Sequence, residues 1–235
     1  MSISIVVGGT RGIGIVITDK LKARGDTVYT VSRSSAGDGR HISVDLLDIK
    51  RVELAFSSLG EIDTVRNLVF SQRYRGNGDF DSESTVMLKS TQVIIESLIP
   101  FFEESASIVV LGSVSGKFIG EEQSLSYHIS RAALEQLVRY YAVSLGAKGI
   151  RVNCVVPGTV LKPEHSTFDK NRITADLEAI VPLKRAGTAE DVAGAVAFFC
   201  SDRSSFITGQ SVFVDGGVSL LSQESLSRKI SQRNS

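Results

Sequence analysis

Ser4-Ile5-Val6-Val7-Gly8-Gly9-Thr10-Arg11-Gly12-Ile13-Gly14 is the stretch on which the reading of this chain turns. Residues 2–7 are mostly apolar and β-branched, the composition of a buried strand. Ile13, Val16, Ile17 and Leu21 then recur at helical spacing up to Arg24-Gly25, which predicts a helix over 13–23. Glycines stand between the two elements at 8, 9, 12 and 14. A strand that turns tightly into a helix leaves the first helical N–H groups unpaired, and they favour an anion. Glycine has no Cβ to hold a pyrophosphate away from the backbone. Gly8, Thr10, Arg11, Gly12, Ile13 and Gly14 are therefore candidate phosphate and nucleotide contacts. The spacing Gly-x-x-x-Gly-x-Gly is a variant of the dinucleotide turn Gly-x-Gly-x-x-Gly. The same glycines would also suit a tight turn that binds nothing, so the rest of the chain decides.

Strand and helix signals alternate from there almost to the end. Strands are expected at Thr27–Val31, His41–Val44, Asp63–Phe70, Ser107–Leu111, Arg151–Val156 and Gln210–Val214, and helices at 48–58, 82–103, 126–147 and 188–200. Pro100 closes the second of these helices, and Gly146-Ala147-Lys148-Gly149 closes the third. Such alternation implies right-handed crossovers and a parallel sheet. With the first strand, the expected fold is α/β: one doubly wound, seven-stranded parallel sheet with helices on both faces, in a single domain over 1–221. Residues 157–187 break the rhythm, with three of the four prolines and one weak helix near 168–180. An insertion beyond a strand's C-terminal end lies over the ligand crevice of such a sheet, so this one reads as a substrate lid. The Ser-, Gln- and Arg-rich residues 222–235 read as a frayed polar tail of one or two helical turns at most.

Composition narrows the function classes. A chain of 235 residues, 42% hydrophobic and 22% charged, can bury one sizeable core. Lys+Arg and Asp+Glu both number 26, and no basic surplus points to nucleic acid or an anionic membrane. The start lacks the pattern of a signal peptide, and no apolar run reaches about 18 residues. Cys154 and Cys200 stand in apolar surroundings without a partner pattern, as expected of reduced core thiols in a cytoplasmic protein. His41, His128 and His165 show no metal-ligand spacing.

The end of the second strand, Tyr29-Thr30-Val31-Ser32-Arg33, bears on cofactor choice. In NAD-binding sheets an acidic side chain near this point accepts hydrogen bonds from the ribose hydroxyls. Here Ser32 precedes Arg33, and no carboxylate would repel a 2′-phosphate. Arg33 and Arg11 can clamp that phosphate with their guanidinium forks, which favours NADP(H) over NAD(H). Solvated surface arginines are the plain alternative. Asp45 and Leu46, after the third strand, are placed to meet the adenine.

The second half carries more specific motifs. They are Gly112-Ser113-Val114-Ser115-Gly116, the run Arg151-Val152-Asn153-Cys154-Val155-Val156-Pro157-Gly158-Thr159-Val160, and Pro182-Leu183-Lys184-Arg185-Ala186-Gly187 followed by Glu190-Asp191-Val192-Ala193, Thr208-Gly209-Gln210 and Val214-Asp215-Gly216-Gly217. By these, the chain resembles the short-chain dehydrogenase/reductase family from Gly8 to Gly217. The resemblance implies a Rossmann-like sheet and a nicotinamide cofactor. It implies a Tyr as acid/base, a Lys four residues on that lowers its pKa and holds the nicotinamide ribose, and a Ser that orients the substrate carbonyl. Carried over, these are Ser113, Tyr127 and, at the lysine position, Arg131. A free tyrosine with pKa near 10 is a reluctant base at neutral pH, and an adjacent cation favours its phenolate. Asn67, Arg131, Pro157, Gly158 and Val160 join the cofactor contacts on the same resemblance. Family members also pair through two long helices, here 82–103 and 126–147, which implies a homodimer or homotetramer. Leu134, Leu137, Val138, Tyr141 and Leu145 fit that pairing and fit burial against the sheet equally well.

Several positions depart from the family pattern. Arg131 replaces the lysine and, unlike it, cannot pass a proton on. Met87 aligns with the helix asparagine that supports a proton relay. Asn67-Leu68-Val69-Phe70 stands for the Asn-Asn-Ala-Gly turn, with Phe70 in place of its glycine, and the Ser113–Tyr127 spacing is one residue longer. Two functions follow. The first is an NADP(H)-dependent oxidoreductase acting on a small-molecule carbonyl or alcohol. The alternative is a nucleotide-binding member without catalysis, serving as a sensor, scaffold or partner subunit. The lid mixes Lys162, Glu164, His165, Phe168, Lys170 and Arg172 with apolar positions, a lining open to polar and lipid-like substrates alike.

Overall fold

A computed structural model of the chain describes residues 2–33, 40–57, 59–60, 62–161, 174–175 and 177–233. The first half runs β1 (Ile3–Val7), α1 (Gly12–Ala23), β2 (Thr27–Ser32), β3 (His41–Ser43), α2 (Ile49–Ser57), β4 (Val65–Phe70), α3 (Phe80–Ser84), α4 (Ser90–Leu98) and β5 (Phe102–Leu111). The second runs α5 (Leu125–Gly146), β6 (Arg151–Pro157), β7 (Val160–Leu161), β8 (Gly187–Thr188), α6 (Ala189–Phe199), β9 (Ser211–Val214) and α7 (Gln223–Arg233). Seven strands form one sheet in the order β3-β2-β1-β4-β5-β6-β9, every neighbouring pair parallel, as the alternation predicted.

Both faces of the sheet are covered, and the strand residues divide between them by parity. Ile5, Val7, Leu68, Phe70, Ile108 and Val110 pack into a core with Phe56, Ile94, Leu98, Leu134 and Val138 from α2, α4 and α5. Val6, Val69, Val109 and Val155 face the other way, against Ile17, Leu21, Val192, Val196 and Phe199 from α1 and α6. A strand buried on both faces reads as a near-continuous apolar run, which is why these segments stand out in the sequence. On α5, Leu134, Val138, Tyr141 and Leu145 are buried within the protomer, so packing against the sheet accounts for them. Cys154 and Cys200 are free and buried, and burial pushes both thiols up to about 12, which makes them unreactive.

Four expectations are corrected. The long helix expected at 82–103 is interrupted: α3 passes through a wide π turn, Thr85–Lys89, into α4, then a 3-10 turn at Ile99–Phe101. Ser90 Oγ donates to the Val86 carbonyl at 2.7 Å and Thr91 Oγ1 to that of Met87 at 2.8 Å. Hydroxyls that bond back four residues accompany such irregular turns. Pro100 lies in the 3-10 turn, and β5 starts at Phe102, five residues before the expected Ser107, because Phe102 pairs with Val65 across a register shift. The ribbon of β7 and β8 was not expected; it joins the two ends of the 157–187 insertion, with Gly187 N–H donating to the Thr159 carbonyl at 3.2 Å. The tail forms α7, an 11-residue helix longer than the expected turn or two, with Ser222 Oγ accepting from Ser225 N–H at 3.3 Å at its start. Of the weak helix expected near 168–180, residues 174–175 and 177–180 are helical, whereas lid residues 162–173 and 176 lie outside the described residues.

No helix among the described residues is long and apolar enough to cross a membrane.

Candidate active site

Strand order reverses between β1 and β4, and in an open parallel sheet that is where a ligand crevice forms, beyond the strands' C-terminal ends. Two adjoining cavities of about 640 and 350 Å³ occupy this place and share Arg11, Ser71, Gln72, Arg73 and Arg75 as walls. Together they fall in the size range of small-molecule sites.

The β1–α1 loop is shaped by close approach. Gly8 has φ +77°, and a Cβ there would come within 2.7 Å of the Gln72 backbone nitrogen. A Cβ on Gly14 would run into the Gly8 carbonyl oxygen. Helix α1 starts without a side-chain cap and with no acidic residue in its first turn, so its N-terminal N–H groups stay open to an anion. Gly8, Thr10, Arg11, Ser32, Arg33, Asp45 and Leu46 line the larger cavity. Gly12, Ile13, Pro157, Gly158 and Val160 line the smaller one, and Gly14 is buried behind them. The chain residues thus suit an extended, phosphate-bearing ligand. Two buried polar atoms in the walls, Arg131 Nε and Gln72 Oε1, have no hydrogen-bond partner among the described residues. They match the donor and acceptor needs of ribose hydroxyls.

Asn67 is misplaced in the sequence reading. It lies inside β4, fully buried, with its amide 2.9 Å from Ser4 Oγ, so it cannot reach a ligand in the crevice. Phe70 is likewise a strand residue, packed in the core beside Val7, and does not stand in place of a turn glycine. The turn that enters the crevice is Ser71-Gln72-Arg73-Tyr74. Pairing of β4 with β1 and β5 carries the strand through Phe70 and moves the turn four residues onward.

The smaller cavity holds the Ser–Tyr–Arg group. Ser113 lies two residues beyond the end of β5, and its Oγ accepts from Ser115 N–H at 3.2 Å. Tyr127 sits in the first turn of α5, where Ser124 Oγ accepts from the Tyr127 N–H at 3.2 Å and fixes the helix start. His128 holds the preceding loop, its ring nitrogens 2.8 and 3.1 Å from the carbonyls of Ser115 and Gly120. Arg131 stands one turn further along the same helix face. Its Cζ is 4.8 Å from the Tyr127 ring centroid, and its Nη1 donates to the Leu111 carbonyl at 3.1 Å. Burial of Tyr127 opposes ionisation, but the Arg131 charge, the Ser113 hydroxyl and the Arg73 charge outweigh it, so the phenol lies below the ordinary tyrosine value.

Two charged residues of this group were not singled out from the sequence. Arg73 Cζ lies 5.1 Å from the Tyr127 ring centroid, and its Nη2 donates to Gln123 Oε1 at 3.2 Å. Glu83 on α3 is buried, accepts from Ser130 Oγ at 3.2 Å and faces the Arg131 charge. Burial raises the Glu83 pKa, against the pull of Arg131 and Ser130. The available signal for Glu83 was its place at helical spacing from the apolar Val86 and Met87; Arg73 gave none, because its place depends on where β4 ends. Met87 is buried in the π turn and brings no polar group to the relay position.

A glycine-rich βα turn, an open crevice at the switch point and a Ser–Tyr pair beside a cation are the features of a nucleotide-dependent oxidoreductase class. The sequence profile described as Enoyl-(Acyl carrier protein) reductase matches residues 7–219. An uncharacterized oxidoreductase of Schizosaccharomyces pombe is 32% identical over 91% of this chain and 89% of its own length. The 3-oxoacyl-[acyl-carrier-protein] reductase MabA of Mycobacterium avium is 30% identical over 92% and 89%. Among solved structures, ligand-free aldohexose dehydrogenase of Thermoplasma acidophilum superposes with a TM-score of 0.84 at 25% identity, covering 94% of this chain and 95% of its own. A blue fluorescent protein from a metagenomic library, in complex with NADPH, gives 0.81 at 25% identity over 92% and 97%. The chain belongs to the short-chain dehydrogenase/reductase family, whose members are nicotinamide-dependent oxidoreductases.

Proposed function

We propose that this protein is an NADP(H)-dependent oxidoreductase that interconverts a small-molecule carbonyl and its alcohol. The observation that carries the reading is the Ser113–Tyr127–Arg131 group at the end of a crevice able to take a dinucleotide. The nicotinamide, when bound, donates or accepts the hydride. Everything else falls to the chain. Tyr127 holds the proton that the carbonyl oxygen gains on reduction, and takes it back on oxidation. Ser113 donates a hydrogen bond to the same oxygen and orients it. Arg131 keeps a positive charge beside the phenol, and its Nε offers a donor to the ribose. Since a guanidinium does not deprotonate, the phenol is recharged from water in the open crevice rather than through the residue next to it.

Arg11 and Arg33 line the cavity into which the adenosine half would extend, with Ser32 rather than a carboxylate beside them. That environment supports a 2′-phosphate and hence NADP(H). Thr10, Gly12, Ile13 and the N-terminus of α1 would hold the pyrophosphate, Asp45 and Leu46 the adenine, and Pro157, Gly158 and Val160 the nicotinamide side. Pairing into a homodimer or homotetramer through α4 and α5 is supported by Tyr140 and Val143, exposed at 65% and 84%.

A second reading, a nucleotide-binding member without turnover, is favoured by one observation, the apolar Met87 where a relay asparagine is expected. Titration of NADPH and NADH against the purified protein, followed by a carbonyl panel with NADPH, separates the two. Tighter NADPH binding with turnover of any carbonyl supports the oxidoreductase. NADPH binding without turnover across the panel supports the second reading, and no binding of either nucleotide sinks both.

A further inference from the structure

Arg73 has no counterpart in the Ser–Tyr–Lys pattern that the chain resembles. It enters the crevice from the turn after β4, not from α5, and its guanidinium carbon is 5.1 Å from the Tyr127 ring centroid, against 4.8 Å for Arg131. Gln123, in the loop that leads into α5, holds it at 3.2 Å. We propose that Arg73 is a positioning residue that gives the Tyr127 phenol a second positive charge, so that the work of one lysine is divided between Arg73 and Arg131.

The division follows from what surrounds Arg131. That side chain is buried, donates to the Leu111 carbonyl and faces the Glu83 carboxylate, so part of its charge is compensated within the protein. Arg73 feels the Glu83 carboxylate less than Arg131 does, and its hydrogen bond goes to the neutral Gln123 amide. A cation over an aromatic face is itself favourable, and it favours the phenolate over the phenol. The Tyr127 value is drawn down by Arg131 first and by Arg73 after the Ser113 hydroxyl, against burial. Among the described residues, the other charged groups around this cavity are Arg11 on the β1–α1 loop, Arg75 on the turn that carries Arg73, and Glu122 on the loop before α5. His128, its ring centroid 6.3 Å from that of Tyr127, is tied to two carbonyls. Of these, Arg73 and Arg131 are the ones that stack on the ring.

The inference deepens the oxidoreductase reading by adding a residue to its acid/base group, yet its test needs no turnover. The readout is the ultraviolet difference titration of tyrosinate, wild type minus Tyr127→Phe, repeated in Arg73→Met and Arg73→Lys backgrounds. Arg73 is exposed, so both variants are expected to keep the fold, checked by circular dichroism. Arg73→Met should raise the Tyr127 midpoint by roughly half to one pH unit, the size of one partly screened charge at this distance. Arg73→Lys should restore at least half of that shift. An unchanged midpoint in Arg73→Met overturns the proposal, and so does an equal rise in both variants, which would trace the effect to shape and not charge. If the midpoint moves as expected while the carbonyl panel shows no turnover, the charge assignment stands and the oxidoreductase reading falls.

Discussion

Arg131 is locked to Tyr127 from one helical turn away: its guanidinium carbon lies 4.8 Å from the phenol ring centroid while its Nη1 is held 3.1 Å from the Leu111 carbonyl. The pocket is built around a planar, forked cation. A lysine keeps the charge but not the fork, so Arg131→Lys should lose the bond to Leu111. We expect it to cost about 1 kcal/mol of stability, read as a lower midpoint in urea, and to lower turnover rather than restore it. A gain in both stability and turnover would show that the arginine is a compromise.

The arginine at the end of β2 has a separable effect. Arg33→Ala should weaken NADPH roughly tenfold or more, the size of one charge-assisted contact, and leave NADH nearly unchanged. Direct binding titrations with both nucleotides check this. Equal losses for the two would remove the 2′-phosphate argument.

Asp191 offers a test of the scaffold outside the crevice. Thr188 and Asp191 form a capping box at the start of α6, and Arg185 Nη1 and Nη2 lie 2.6 and 2.8 Å from the Asp191 carboxylate. The Arg185 hydrogen bonds, with those from Thr188, hold the Asp191 carboxyl well below the usual range, against a smaller effect of burial. A group depressed in the folded state contributes its stability above its unfolded value, near 3.8, and loses it as pH falls towards the folded one. Asp191→Asn should therefore cost about 1 kcal/mol at neutral pH, and the difference from wild type should shrink in acid below the unfolded value. A constant difference down to strongly acidic pH would assign the cost to shape.

What could be read in the sequence follows from where the forces are local. Runs such as Ile5–Val7 and Val152–Val156, apolar but for Asn153, mark strands buried on both faces, and the glycines at 8 and 14 mark a turn with no room for a Cβ. Ser113, Tyr127 and Arg131 were singled out by the family resemblance; spacing alone shows only that Tyr127 and Arg131 share a helix face, and Ser113 joins them from just beyond the end of β5. Asn67 was misread because the end of β4 is set by pairing with β1 and β5, which no local pattern records. The π turn at Thr85–Lys89 escaped for a similar reason: Ser90 and Thr91 look like ordinary helix residues until their hydroxyls bond back to Val86 and Met87. Arg73 and Glu83 meet Tyr127 and Arg131 only through tertiary contact between the β4–α3 region and α5.

In the proposed function, Tyr127 is the acid/base of a carbonyl–alcohol exchange. The most direct measurement is NADPH consumption by wild type and Tyr127→Phe side by side, using the best carbonyl of a broad panel, with NADPH binding recorded for both. Tyr127→Phe should keep nucleotide binding unchanged and lower turnover by about two to four orders of magnitude. Turnover at the wild-type rate in that variant would contradict that role.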